Sequence, residues 1–199
     1  MLTLPSVYGR FATAIDKAVL VRPTGAGAVE VQKALAELVL LRLFFRLEAY
    51  LEDVTVRIAC GTSYADGTPP SLLIASANRV VAISNLRRHG RAKSIELKWT
   101  IGGDIRNNVR HVIAPADPIY STILAHEAEL DRWRRVRNHI AHGNADTSKK
   151  FRPVVTHHYG AALPNITPGQ LLLSRRFAPS LLDQAIIFAR VFAKDLARI

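Results

Sequence analysis

Residues 29–59 read VEVQKALAELVLLRLFFRLEAYLEDVTVRIA. Within them Leu40, Leu43, Phe44, Leu47, Leu51, Val54 and Ile58 recur at steps of three and four, the spacing that places apolar side chains along one face of an α-helix. This is the strongest periodic signal in the chain, and it predicts one long helix from Val29 to Ala59. The breaker cluster RPTGAG at 22–27 stands before it and the loop-like CGTSYADGTPP at 60–70 follows.

Outward from that helix, the chain supplies further helical segments. A short opening segment, Val7 to Leu20, comes before the breaker cluster and is given no secondary structure. A second runs from Ser71 to Arg88, with Leu72, Ile74, Val80, Val81 and Ile83 on its apolar side and His89-Gly90 as its stop. A brief helix over 103–111 is bounded by APADP at 114–118, where Asp117 can cap the next helix with Pro118 in its first turn. In that helix Ile119, Ile123, Leu130, Trp133 and Ile140 lie near one face, and Gly143 supplies the residue just past its end. The last helix runs from Ser180 to Ile199. Between these two, residues 144–179 change character: the β-rich runs 154–157 and 170–174, set off by Gly and Pro, predict a small β-hairpin or irregular insertion. The expected fold is all-α, a helical bundle forming a single domain over 1–199. Its 49% hydrophobic and 22% charged residues, with 11 Gly and 10 Pro, suit a packed core and not a disordered chain.

The charge is less ordinary. With 27 Lys and Arg against 16 Asp and Glu the formal net charge is +11, which favours a polyanionic partner such as nucleic acid. Most of the excess is Arg, whose planar fork suits phosphates and bases better than a Lys point charge. The lone cysteine, Cys60, excludes an internal disulfide framework and a multi-cysteine zinc site, and fits a reducing compartment. The opening MLTLPSVYGR does not read as a signal peptide, and the most apolar run, 34–45, is interrupted by Glu37 and Arg42. A cytoplasmic protein without a membrane span is expected.

RRVRNHIAHGN, residues 134–144, closes the helix that Asp117 opens. Positions four apart share a helix face, so Asn138 lies beneath His142 and its amide can orient the imidazole. Arg137 is five positions from His142, roughly 140° around and about 7.5 Å along a regular helix. The two converge on one substrate only if the helix unwinds before Gly143, the Arg side chain bends across, or a second copy of the chain supplies the other half. RNA cleavage needs a base near neutrality for the ribose 2′-hydroxyl and a cation for the charge that builds on the phosphate; His and Arg fit those tasks, with no metal or cofactor required. A metal site from His139 and His142 has too few ligands. The ordinary alternative is a basic helix end whose histidine complements the helix dipole.

The pattern R-N-x-x-x-H-G at the end of a late helix, preceded by a long helix carrying LEAYLED, resembles the HEPN superfamily, most closely its stand-alone RiboL-PSP type of toxin. The resemblance covers about residues 30–143 and the last helix. It implies a helical bundle and a metal-independent ribonuclease, a toxin or defence effector that dimerises so that two motifs line one cleft, with an antitoxin or other regulatory protein as a further partner. His142 would then act as acid/base, Arg137 would stabilise the phosphate charge, and Asn138 would orient His142. An acidic residue on an early helix often faces the motif in this superfamily; Glu48 is the candidate here, with Glu52 second. A non-catalytic HEPN module that binds nucleotide, RNA or a partner is the alternative.

Arg106 and His111 repeat the Arg-to-His spacing. The later copy is preferred because it ends a long amphipathic helix, has small residues around His142 and is followed by Gly143. Arg132, Arg134 and Arg135 make the motif helix basic, and Lys149, Lys150 and Arg152 extend the RNA-binding surface into the adjoining loop. Tyr159 and Phe151 are candidates to stack on bases, whereas Trp133 belongs to the apolar stripe and is assigned to the core. His139 and Tyr159 complete the supporting set.

Overall fold

The computed structural model describes residues 3–23, 27–87 and 97–199. Among them are eight helices: α1 (Leu4–Val19), α2 (Val29–Ala59), α3 (Arg79–Leu86), α4 (Gly102–Val109), α5 (Pro118–His142), α6 (Ala145–Tyr159), α7 (Pro168–Leu172) and α8 (Leu181–Ala197). The protein is all-α. One antiparallel bridge, Leu72 to Ile113, is the extent of β pairing among the described residues.

The stripe that sets the fold class is buried throughout. Leu40, Leu43, Phe44, Leu47, Leu51, Val54 and Ile58 are all at most 1% exposed, and Ala36, Val39 and Tyr50 are buried beside them. α2 is covered over more than one face because α1, α3, α5, α7 and α8 all pack on it. α5 is the second organising helix, in contact with α2, α4, α6, α7 and α8. Trp133 of α5 is almost wholly enclosed, as its place in the apolar stripe demands. The buried residues form one cluster to which all eight helices contribute.

α5 begins as Asp117 and Pro118 predict. The Asp117 carboxylate accepts from Ile119 N (3.0 Å), satisfying one of the amides left open at a helix start. It does more than cap, accepting also from the Tyr64 hydroxyl and from Ser71 N (2.7 Å), and it is itself buried. These bonds fasten the 60–78 segment to the start of α5.

Two expectations are corrected. Residues 71–77 are not helical: Leu73 N and Ala114 N bond across to Val112 O and Ser71 O. α3 starts only where Asn78 caps it by accepting from Val81 N (3.0 Å). The expected stop at His89-Gly90 lies outside the described residues, as does part of the breaker cluster, 24–26.

The second correction is the expected hairpin, which is helical. Runs 154–157 and 170–174 fall mainly in α6 and α7. Asn144 and Thr147 form a reciprocal capping box at the start of α6, and Thr167 with Gln170 does the same for α7. Phe151, Val154 and Val155 turn inward, so burial against α5 overrides the β-branched residues and the interior Pro153. Lys149, Lys150 and Arg152 therefore stand on an exposed helix face and not in a loop.

Candidate active site at the end of α5

α5 stays helical through His142 and stops at Gly143, whose φ of 55° lies in the left-handed region that glycine adopts without strain. Gly143 N donates to His139 O (2.9 Å), and the next residue, Asn144, already caps α6. There is no frayed turn. Arg137 and His142 keep the angular separation of a regular helix.

Arg137 turns toward α2. Its Nη2 donates to Glu48 Oε1 (3.1 Å) and its Nη1 to Asn138 Oδ1 (2.9 Å). The Arg137 and Glu48 side chains are 29% and 31% exposed, so the pair is held against the bundle yet reached by solvent. Burial pushes the Glu48 carboxyl above its usual range, opposed by the Arg137 charge. The His142 side chain is exposed and makes no hydrogen bond or ion pair with the described residues. The Asn138 amide thus serves the guanidinium rather than the imidazole it was expected to orient, because the adjacent Arg137 offers a charge-assisted donor.

Glu52 and Tyr159 lie elsewhere. Glu52 accepts from Arg79 Nη2 (2.9 Å) of α3, whose other nitrogen binds Asp53, so its partner is α3 and not the motif. Tyr159 ends α6, about 20 Å along that helix from the turn after His142. There it meets the Phe177 ring at 5.5 Å and the Arg176 guanidinium at 5.5 Å.

The basic stripe of α5 is partly neutralised. Arg134 and Arg135 both bind Asp131, and although burial alone would raise the Asp131 carboxyl, their hydrogen bonds and charges hold it below the usual range. Arg132 sits within reach of His158, whose pKa burial, His157 and Arg132 together lower to about 4. In the earlier copy of the pattern, Arg106 of α4 pairs with Glu127 of α5, while His111 meets Arg110 Nε at 3.0 Å just beyond the helix.

His139 is more constrained than the sequence suggests. Its Nδ1 is 3.1 Å from Thr147 Oγ1 on α6, its ring stacks on Phe151 at a centroid distance of 4.8 Å, and burial lowers its pKa. The signal that could have found this is the N-A-D-T capping box directly after Gly143, which brings Thr147 back over the end of α5. Among the described residues no group of three or more His, Cys, Asp or Glu side chains is placed to hold a metal ion, and no helix is long and apolar enough to cross a membrane.

No protein-family model, curated protein or solved structure matches this chain.

Proposed function

We propose that the protein is a metal-independent endoribonuclease of HEPN type, a cytoplasmic toxin or defence effector. The observation that carries this reading is Arg137: a guanidinium fixed by Glu48 on one nitrogen and Asn138 on another, yet open to solvent on a helix that ends in an exposed histidine. A cation held in place before substrate arrives stabilises phosphate charge without reorganising during the reaction. His142 takes the ribose 2′-hydroxyl proton; the 2′-oxygen bonds to phosphorus; the bond to the leaving 5′-oxygen breaks, and His142 gives the proton to that oxygen. The products are a 2′,3′-cyclic phosphate and a 5′-hydroxyl.

Because Arg137 and His142 diverge on α5, the cleft is composed from two copies, Arg137 of one facing His142 of the other. α2 offers a surface for the second copy: Leu38 and Phe45, the latter 64% exposed, stand on the helix that carries Glu48. An antitoxin or other regulatory protein would act by covering this cleft. The same divergence favours a second reading if the chain acts as a monomer, namely a module that binds RNA or nucleotide without cutting.

The test is cleavage of a mixed-sequence RNA in EDTA by the wild type, Arg137→Ala and His142→Ala. Cleavage by the wild type, lost in both variants, is expected. Unchanged cleavage in both variants overturns the assignment, and binding without cleavage by any of the three supports the non-catalytic module.

A further inference from the structure

A groove of about 610 Å³, within the size range of small-molecule sites, lies between α6 and the 162–168 segment. The wall opposite α6 is anchored at its end. Thr167 and Gln170 close a capping box there, and Gly169 N donates to Glu37 Oε1 (2.8 Å). A Cβ on Gly169 would stand 2.6 Å from Lys33 Cβ, so the start of α7 lies directly against α2. The open apolar surface is Leu163, 39% exposed, with Pro164 and Ile166 beside it and Val155 on α6. Phe151 and His139 also border the groove, but they are stacked on each other.

The polar lining has one sign of charge. Ser148 and Arg152 stand one turn apart on α6, and Val155 and Thr156 continue the groove a further turn. From Ser148 to Thr156 this is about 12 Å along the helix. No carboxylate lines it, and Glu37, whose charge reaches His139, is engaged by Gly169 N. Burial lowers the His139 pKa, so at neutral pH the imidazole is uncharged and the cation of the groove is Arg152. Arg134, Arg135 and Arg137 are each held by a carboxylate. The Arg152 guanidinium and the Ser148 hydroxyl make no ion pair or hydrogen bond with the described residues.

An unpaired guanidinium next to a free hydroxyl recognises an anionic head, and its parallel N–H bonds match a carboxylate. The apolar wall beyond them accepts a hydrocarbon body and gives nothing to a polar one. We propose that this groove binds an amphipathic carboxylate, an aliphatic acid of medium chain length. Its head rests on Arg152 and Ser148 and its chain runs along Val155, Leu163 and Ile166. Neither Arg137 nor His142 lines the groove, so the proposal stands or falls independently of RNA cleavage.

The experiment is calorimetric titration of the full chain at neutral pH with the straight-chain acids from butanoate to octanoate, beside acetate, octanol and octylammonium. Saturable binding of octanoate is expected, with acetate and octylammonium giving none. Each methylene added from butanoate to octanoate should tighten binding about fourfold, the gain from burying one CH₂. Arg152→Gln should weaken octanoate about tenfold and leave octanol unchanged, since only the contact to the head is lost. Leu163→Asp sets a like charge in the apolar wall at a part-exposed position and should abolish octanoate binding while the thermal melt stays cooperative. Arg42→Gln removes an exposed cation that does not line the groove and should change nothing. Absence of saturable octanoate binding, or affinity that does not climb with chain length, overturns the proposal. So does binding that is indifferent to Arg152→Gln, or that Arg42→Gln weakens equally, which marks attraction to the net charge alone.

Discussion

At Glu48 two effects oppose each other. Burial raises its carboxyl pKa and the Arg137 charge lowers it, and burial is the larger. A carboxyl whose folded pKa lies above its unfolded one adds stability only below the unfolded value, and that stability is lost as pH rises through the folded value. As pH rises through the folded value the Glu48 carboxylate is held at some expense to the fold, offset in part by the Arg137 guanidinium it binds. Glu48→Gln should melt no lower than the wild type at neutral pH, with the two converging below the usual carboxylate range. Its RNA cleavage should fall roughly tenfold as Arg137 loses its anchor. A purely structural pair would instead lower both melting temperature and activity. The candidate acid at Glu48 was legible only through the HEPN resemblance, which implies an acidic residue on an early helix facing the motif. Glu52, one turn on, has the same sequence credentials, and only the position of Arg79 separates them.

Element boundaries were legible where local chemistry sets them. α2 needs only its periodicity, and α5 needs only Asp117, Pro118 and Gly143. The reach of Asp117 to Tyr64 and Ser71 spans 53 and 46 residues and has no local signature. Asp117→Ala removes the α5 cap and strands a buried hydroxyl and an amide, and chemical denaturation should show a loss of about 3 kcal/mol. Asp117→Asn, which keeps an acceptor, should recover part of it. α6 was misread because Pro153 and the Val-Val-Thr run outweigh its capping box in a local reading, while packing on α5 decides the outcome. That packing encloses His158 among Trp133, Phe177, His157 and Arg132, and its pKa falls from the ordinary value near 6.5 to about 4. For a base with a depressed folded pKa the stability is present above the unfolded value and lost as pH falls toward the folded one. Thermal melts between neutral pH and 4 should therefore show a smaller acid loss in His158→Phe than in the wild type.

On the scale of the whole molecule, part of the net charge of +11 stands on an exposed face of α6 as Lys149, Lys150 and Arg152, while Arg134 and Arg135 are paired with Asp131. The sequence could place Arg137 and His142 on one helix, but whether the helix frays at its end is settled by Gly143 and Asn144 together. With α5 regular through His142, the proposed cleavage takes two copies of the chain. The most direct measurement mixes Arg137→Ala with His142→Ala, each inactive alone, after exchange of subunits. In a mixed dimer one cleft holds an intact Arg137 from one chain and an intact His142 from the other. RNA cleavage in EDTA should return to about a quarter of the wild-type rate, since half the dimers are mixed and each has one complete cleft. An active wild type whose two variants form mixed dimers and restore nothing would contradict the composite cleft.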